Sequence, residues 1–384
     1  MNDKLNILIF KFALVLGGGE RFSFLIAKKF QESGESVKFY SNYPPLLKKI
    51  KKEKIFAKKI YWGKEIGAKR YLLEYFLLLP INIIRFGFIF LFNRKRGHQN
   101  IVVFQNLNEK IFATSLARFL GYKVFWVEHL SPYPWLVKNY FKNSYLKKSK
   151  KANKIIAISE SLKGELIGLG IKSEKIEVVY NGVDGRDFYV YSQLQIENEK
   201  KKYGFFKNSK IIGYVGRLHK EKGLDILIAV FHQLLKRFDH LYLLLVGDGP
   251  EREKLEELVR RLSLEKRVIF LGQKENIPLF LNMIDVFVLP SNVRESFGIV
   301  LIEAMACGKV VVGSDLGGIP EIIKNESNGF LFTSGDEREL ADKLSRILSD
   351  EKLREKIIAN ALKDIKNKFS LEIMIKKLEG IFRK

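Results

Sequence analysis

Two carboxylates, Glu295 and Glu303, stand eight positions apart in the run Arg294-Glu295-Ser296-Phe297-Gly298, followed by Ile299-Val300-Leu301-Ile302-Glu303-Ala304-Met305-Ala306-Cys307-Gly308. The stretch before them, Asp285-Val286-Phe287-Val288-Leu289-Pro290, is short, apolar and β-rich, as a buried strand is. Apolar residues then recur at 299, 300, 302, 305 and 306, and Cys307-Gly308 supplies a helix stop. Glu295 is therefore expected in the loop outside the carboxyl end of a strand, and Glu303 a turn into the next helix. Amides of Phe297 and Gly298 would open that helix, where unpaired N–H groups favour an anion such as phosphate. Sugar hydroxyls, ribose hydroxyls and a diphosphate are the groups such a segment can hold.

A second set of residues has complementary charge. Ile211-Ile212-Gly213-Tyr214-Val215 reads as a strand running into Gly216-Arg217-Leu218, with Lys220, Lys222 and Gly223 just beyond. A guanidinium fork and an ammonium five positions later can neutralise a diphosphate from two directions. A departing nucleoside diphosphate gains negative charge in the transition state, so such cations act mainly there. A pair of solvated surface cations is the plain alternative. Gly247-Asp248-Gly249-Pro250 closes another strand, and Gly17-Gly18-Gly19-Glu20-Arg21 opens the first helix; glycines at these places let backbone approach a ligand. His129 follows an expected strand at 123–127. Each of these three signs is weak alone, and a lone His is often an ordinary core or surface residue.

The elements that must position these residues alternate. Strands are expected at 5–10, 37–40, 101–104, 123–127, 154–158 and 176–180, with helices at 20–32, 109–120 and 159–169. That rhythm predicts parallel βαβ units. A polar stretch, 191–209, separates this half from a second that restarts the pattern with strands at 211–215, 241–246, 267–271, 285–289 and 309–312 and a helix at 251–262. The tail, 340–384, reads as helices. At 384 residues the chain suits two domains better than one core.

In these motifs the chain resembles the retaining glycosyltransferases of family 4, the two-Rossmann-domain type that includes sucrose synthase-like and mannosyltransferase enzymes. The family's donor signature is a Glu, seven residues and a second Glu, with Phe-Gly after the first and Ala-Met-Ala-x-Gly after the second; all of it stands at 295–308. Gly216-Arg217-Leu218 with Lys222-Gly223 matches its Gly-Arg-Leu-x-x-x-Lys-Gly, Gly18-Gly19 its N-terminal signature, and Asn181-Gly182-Val183-Asp184 its interdomain junction. The resemblance implies a GT-B fold, two Rossmann-like domains facing a central cleft. It implies an N-terminal acceptor domain at 1–183, a C-terminal nucleotide-sugar domain at 184–366, and a last helix, 367–384, crossing back to the first domain. By the same resemblance Arg217 and Lys222 bind the donor phosphates, Glu303 the ribose, and Glu295 the transferred sugar near its anomeric carbon. Ser296, Phe297 and Gly298 line the donor, Gly18 and Gly19 the N-terminal wall, and His129 lies by the sugar and phosphate. Transfer would retain anomeric configuration through front-face attack, with the leaving phosphate as base. No cofactor or metal is expected: no Asp-x-Asp pair has ligand-like context, and the five His are scattered.

Charge is unevenly divided. Residues 1–183 carry 33 Lys+Arg against 13 Asp+Glu, a balance of +20, whereas the rest carry 34 against 30, or +4, of the total +24. A field of that size draws anionic partners such as acidic lipid surfaces or phosphorylated acceptors; nucleic acid is disfavoured because no RNA-binding, zinc or helix-turn-helix motif accompanies the charge. The single Cys307 excludes an internal disulfide framework and fits a reducing interior. Lys11 interrupts the apolar run 5–16 and glycines follow it, so that run reads as a first strand and not a leader.

Two basic segments interleave lysine with apolar residues, at 46–59 and 138–154, the second including Tyr140 and Phe141. Between them the apolar run 71–92 ends in Arg94-Lys95-Arg96. It has the ~20 residues a bilayer span needs, yet Glu74, Pro80 and Arg85 interrupt it, and a charge mid-span costs about 2.5–3.5 kcal/mol. A span, a membrane-surface helix pair and buried core helices all stay open. The expected function is sugar transfer from a nucleotide diphosphate sugar to a lipid-linked or glycolipid acceptor at the cytoplasmic face of the inner membrane. The alternatives are a soluble sugar or sugar-phosphate acceptor, an epimerase or phosphorylase on the same fold, and, remotely, a nucleic-acid-binding protein. The sugar, the base and the oligomeric state are not readable.

Overall fold

The computed structural model describes residues 4–14, 17–66, 71–131, 141–206 and 208–384. Val15 and Leu16 of the first apolar run, and Lys138 to Tyr140 of the second basic segment, lie outside the described residues. The chain divides into two compact units, Met1–Tyr180 with Met374–Lys384, and Asn181–Ile373.

The first unit is a seven-stranded sheet: β1 (Lys4–Lys11), β2 (Ser36–Ser41), β3 (Phe56–Lys59), β4 (His98–Phe104), β5 (Lys123–Glu128), β6 (Lys154–Ala157) and β7 (Ile176–Val178), in the order β3-β2-β1-β4-β5-β6-β7. Every neighbouring pair is parallel. Its described helices are α1 (Gly18–Glu32), α2 (Pro44–Lys52), α3 (Leu72–Asn93), α4 (Leu107–Phe112), α5 (Thr114–Phe119), α6 (Lys142–Ser149) and α7 (Glu160–Leu169). Strands buried on both faces must be nearly all apolar, which is why β1 reads Leu-Asn-Ile-Leu-Ile-Phe.

Register and alternation sort the helices onto two faces. Phe10, Phe104 and Trp126 pair across β1, β4 and β5 and share one face; Ile9, Val103 and Phe125 share the other. On the first face Phe86 of α3 stacks 4.7 Å from Phe10, and Tyr145 of α6 lies 5.1 Å from Trp126. On the second, Phe382 lies 4.8 Å from Phe125 and 5.5 Å from Phe30 of α1. The C-terminal segment thus packs back onto the first unit, where Arg383 also meets Glu35 at 2.7 Å.

The second unit repeats the plan. Strands β8 (Lys210–Val215), β9 (Leu241–Val246), β10 (Val268–Gly272), β11 (Val286–Leu289), β12 (Val310–Ser314) and β13 (Phe330–Phe332) form a parallel sheet in the order β10-β9-β8-β11-β12-β13. Around it lie α8 (Gln193–Lys202), α9 (Leu224–Leu234), α10 (Arg252–Arg261), α11 (Ile277–Met283), α12 (Ile299–Ala306), α13 (Ile319–Ile322), α14 (Glu337–Ser349) and α15 (Glu351–Lys368); α16 (Leu371–Arg383) starts here and ends in the first unit.

Three expectations are revised. The stretch 191–209 is not a linker: Ser192 caps α8 by accepting from the Gln195 amide, and Tyr203 packs 5.6 Å from Phe280 of α11. The helix expected over 109–120 breaks at Ala113 into α4 and α5. The basic segment 46–59 is not one surface element. Its first part is α2, which packs on α1 with Lys49 4.6 Å from the Phe24 ring, and its last part is edge strand β3. The apolar run 71–92 forms the single helix α3, with Tyr75, Asn82, Phe86 and Phe90 buried and other apolar side chains facing solvent.

Candidate functional site

In the second sheet the chain leaves β8 toward β9 on one side and β11 toward β12 on the other, so the loops after β8 and β11 diverge. Such a switch point leaves a crevice outside the carboxyl ends of the two strands, the usual ligand position in an open parallel sheet. Arg217 and Lys222 lie on the first of these loops, Glu295 on the second.

Backbone contacts hold the two loops together. Asn292 donates from its amide to the Glu221 carbonyl at 3.0 Å and from its side chain to the Lys220 carbonyl at 3.1 Å. The Tyr214 hydroxyl donates to the Arg217 carbonyl at 2.9 Å, while burial and the nearby Glu295 charge push that hydroxyl's pKa up. The Leu218 amide donates to the Asp248 carbonyl at 3.0 Å, tying the Gly-Arg-Leu loop to Gly247-Asp248-Gly249-Pro250. Gly247 has φ +138°, and a Cβ there would lie 1.8 Å from the Gly216 carbonyl oxygen, so only glycine fits.

Glu295 is fixed at both ends. Its carbonyl accepts from the Gly318 amide at 2.7 Å, and Gly317, at φ +62°, comes so close that a Cβ would meet the Glu295 carbonyl at 2.2 Å. Its carboxylate accepts from the Ser291 hydroxyl and pairs with the Lys222 ammonium. Both side chains of that ion pair are mostly buried, whereas Arg217 is exposed.

Helix α12 starts at Ile299, one residue later than the amides expected to open it. Gly298 is its left-handed N-cap at φ 97°, with no side-chain cap, so the first-turn amides are not covered by one. Phe297 is buried, its ring 6.1 Å from Phe369, and belongs to the core. Only backbone of Phe297 is then suited to a ligand. Ser296 is half-buried, and Glu303 is buried within α12 and not on a solvated helix surface.

The first sheet has its own switch point, between β1 and β4. Lys11 at the end of β1 is buried and pairs with Glu20 at 3.3 Å; Glu20 also accepts from the Gly17 amide at 2.9 Å. Gly18 is exposed, and a Cβ on Gly19 would lie 3.1 Å from the Lys11 ammonium and 3.3 Å from the His129 ring. His129, just past β5, contacts Gln105 Oε1 through Nε2 at 2.9 Å and meets Phe22 edge-on at 4.9 Å. Gln105 Oε1 also accepts from Ser23 at 2.7 Å. With the amide in this orientation, Nε2 carries the imidazole proton. Burial, then the charges of Lys11 and Lys110, hold the His129 pKa well below its ordinary value, so the ring is neutral at pH 7.

Beneath His129 lies a buried charged layer. Lys110 pairs with Glu128 at 2.7 Å, Tyr145 donates to Glu128 at 2.8 Å, and Trp62 donates to Glu109 at 3.1 Å. Burial pushes the Glu109 carboxyl up to about 7. Among the described residues, no three His, Cys, Asp or Glu side chains group as metal ligands.

The structure therefore brings Lys222, on the Arg217 loop, to Glu295 on the loop after β11, and Gly19 to His129. Sequence reading missed Ser291, Tyr214 and Gln105. Lys11 carries a visible signal, as the one charge inside the apolar run 5–16.

Residues 195–364 match the family described as Glycosyl transferases group 1, and residues 16–186 match Glycosyltransferase Family 4. The chain belongs to this family of two-domain glycosyltransferases. It is 36% identical over 228 residues to N-acetyl-alpha-D-glucosaminyl L-malate synthase of Bacillus anthracis, covering 59% of this chain and 58% of that one. It is 33% identical over 244 residues to the capsular polysaccharide biosynthesis glycosyltransferase CapM of Staphylococcus aureus, covering 60% and 61%. The chain thus spans about three fifths of the length of these curated relatives. In fold it is similar to Anabaena HepE, crystallised with UDP and glucose, at TM-score 0.82, 23% identity and 98% of each chain.

Proposed function

We propose that this protein transfers a sugar, with retention, from a nucleotide diphosphate sugar to a lipid-linked or glycolipid acceptor at the cytoplasmic face of a membrane. The observation that carries the reading is the Lys222–Glu295 pair beside Arg217 at the switch point of the second sheet. Arg217 and Lys222 meet the diphosphate, Glu295 holds hydroxyls of the transferred sugar and Glu303 the ribose. The first-turn amides of α12, with Ser296, Phe297 and Gly298 backbone, line the same donor. In the step itself the bond from C1 to the phosphate oxygen breaks, an acceptor oxygen bonds C1 on the same face, and the acceptor proton passes to the leaving phosphate. The two cations offset the charge that builds on that phosphate, so no metal is needed. Neutral His129 donates no charge to the leaving group and instead orders the sugar by hydrogen bonding.

The excess of +20 in residues 1–183 favours an acceptor presented at an anionic surface. Similarity to CapM supports an envelope-polysaccharide product. Similarity to the N-acetyl-alpha-D-glucosaminyl L-malate synthase supports a second reading, a soluble anionic acceptor recruited by the same charge. Thermal shift against UDP- and GDP-sugars tests the donor, since a ligand bound only by the folded state stabilises it by RT ln(1 + [L]/Kd). Proton NMR of the product then reads its anomeric configuration. Inversion, or no stabilisation by any nucleotide sugar, would sink the proposal.

A further inference from the structure

Helix α3 is apolar on two opposite sides. Its inner side is anchored in the fold: Phe86 and Phe90 are fully buried, the Phe90 carbonyl accepts from Tyr122 at 2.8 Å, and Asn82 donates to the Trp62 carbonyl at 3.1 Å. The helix cannot cross a bilayer without giving up these contacts. Its outer side is Leu73, Leu77, Ile84, Phe88, Leu91 and Phe92, with Leu73 71% and Phe92 80% exposed. The spacing from 73 to 91 follows one stripe of a 3.6-residue helix. An ordinary surface helix would carry polar residues there.

The two charges within α3 do not break the stripe. Glu74 and Arg85 fall together at its margin, and both are held by Tyr61, whose hydroxyl donates to Glu74 and whose carbonyl accepts from Arg85 at 2.7 Å.

The rim of this face is basic. Exposed Arg94, Lys95 and Arg96 follow the C-terminal end of α3, and at its start Lys64 stands 5.1 Å from the Tyr71 ring. Helix α6 lies on the same face of the sheet, joined to α3 where Phe141 meets Tyr75 at 5.4 Å and Phe76 at 6.3 Å. It and the residues after it carry Lys147, Lys148, Lys150 and Lys151 without an acid. Lys148 donates to Ser115 at 2.7 Å, and burial, then the charges of Lys151 and Lys147, hold its pKa below the ordinary value.

We infer that α3 lies flat in an anionic membrane surface, its outer stripe among the acyl chains and the lysines of α6 with Arg94–Arg96 on the headgroups. An interfacial helix buries its apolar face roughly 5–10 Å deep and gains from electrostatic attraction to acidic lipid. This deepens the proposed transfer to a lipid-linked acceptor and rests on that reading for its purpose, though the surface itself is set by the first unit alone.

The full chain is tested by flotation with vesicles of phosphatidylcholine containing phosphatidylglycerol, and with phosphatidylcholine alone. Expected is binding to the anionic vesicles, reduced at least tenfold in Leu77→Glu/Ile84→Glu and weakened by salt in the wild type. Should that variant fold poorly, Ile84→Cys carrying an environment-sensitive fluorophore replaces it; Cys307 is buried, so the label goes to position 84. Its emission should shift to the blue on anionic vesicles. Wild-type binding unchanged in the double Glu variant, or a label that stays in water, overturns the inference. So does a dimer that becomes monomeric in the double Glu variant, because a second copy then covers the stripe. Flotation without transfer to a lipid-linked acceptor would overturn the acceptor reading and leave the docking intact; transfer without flotation would do the reverse.

Discussion

The Lys222 ammonium is paired with the Glu295 carboxylate, across 73 positions of sequence and from loops that follow two different strands. Without a ligand each charge compensates the other, and Ser291 shares the carboxylate. In the proposed reaction an incoming diphosphate would compete for Lys222 and hand Glu295 to the sugar hydroxyls. The pair is thus a resting arrangement that substrate is expected to open.

Lys222→Ala should therefore lower kcat/KM by about 10²–10³, the usual effect of removing one donor to developing charge. Lys222→Arg should recover part of it, and Arg217→Ala should fall in the same range. Steady-state kinetics with a saturating acceptor decide this; either alanine variant with wild-type kcat/KM would remove the cation from the mechanism. Transfer is also expected to persist in EDTA.

Gly317→Ala should be costly although it adds one methyl group. A left-handed alanine costs about 1–2 kcal/mol, and the clash with the Glu295 carbonyl adds to it. A fall in Tm on the order of 5 °C is expected, together with weaker nucleotide-sugar binding because the Glu295 loop must move. Calorimetry with and without donor separates the two effects, and an unchanged Tm would show that the loop yields freely.

Gln105→Glu places a negative charge 2.9 Å from His129 Nε2, where a neutral amide now sits. An opposite charge that close favours imidazolium, so the His129 pKa should rise by about 1 unit or more. NMR titration of the ring reads the shift directly. In kinetics the acid limb of the pH–rate profile should move upward. A ring that titrates identically in both proteins would disconnect Gln105 from His129.

Glu109 sets a pH dependence of stability. Its carboxyl is raised from 4.5 to about 7, so the folded state binds its proton more tightly than the unfolded chain. The stabilisation is complete below about pH 4.5 and is lost as pH rises through about 7, an effect on the order of 3 kcal/mol. The stability difference between wild type and Glu109→Gln should shrink across that window and level off above it. Denaturant melts at pH 5, 6, 7 and 8 measure this, and a constant difference would mean that Glu109 is ionised throughout.

Fold legibility followed burial. Strands β1, β5, β8, β9 and β11 are legible within about a residue of their ends because parallel central strands are apolar on both faces, and β4 is legible except for its polar start, His98-Gln99-Asn100. Strand β3 was hidden because an edge strand needs only one apolar side: Phe56-Ala57-Lys58-Lys59 buries Ala57 alone. Helix α8 was hidden by its polar composition and shows itself only through the Ser192 cap.

The residue types and spacings at 217–222 and 295–303 determined by themselves that the second half carries cations and carboxylates at loop positions after strands, because local periodicity and glycine punctuation place such loops. Only the tertiary structure decided that Lys222 and Glu295 form one ion pair, that Phe297 is core, that Glu303 is buried, and that Gln105 holds His129. These depend on strand order: β8 and β11 are neighbours in the sheet although two strands separate them in the chain, and β1 and β4 likewise. The same holds for α3, whose composition alone could not tell inner from outer apolar residues. Packing against Phe10 and Tyr122 on one side only is what leaves the other side to solvent.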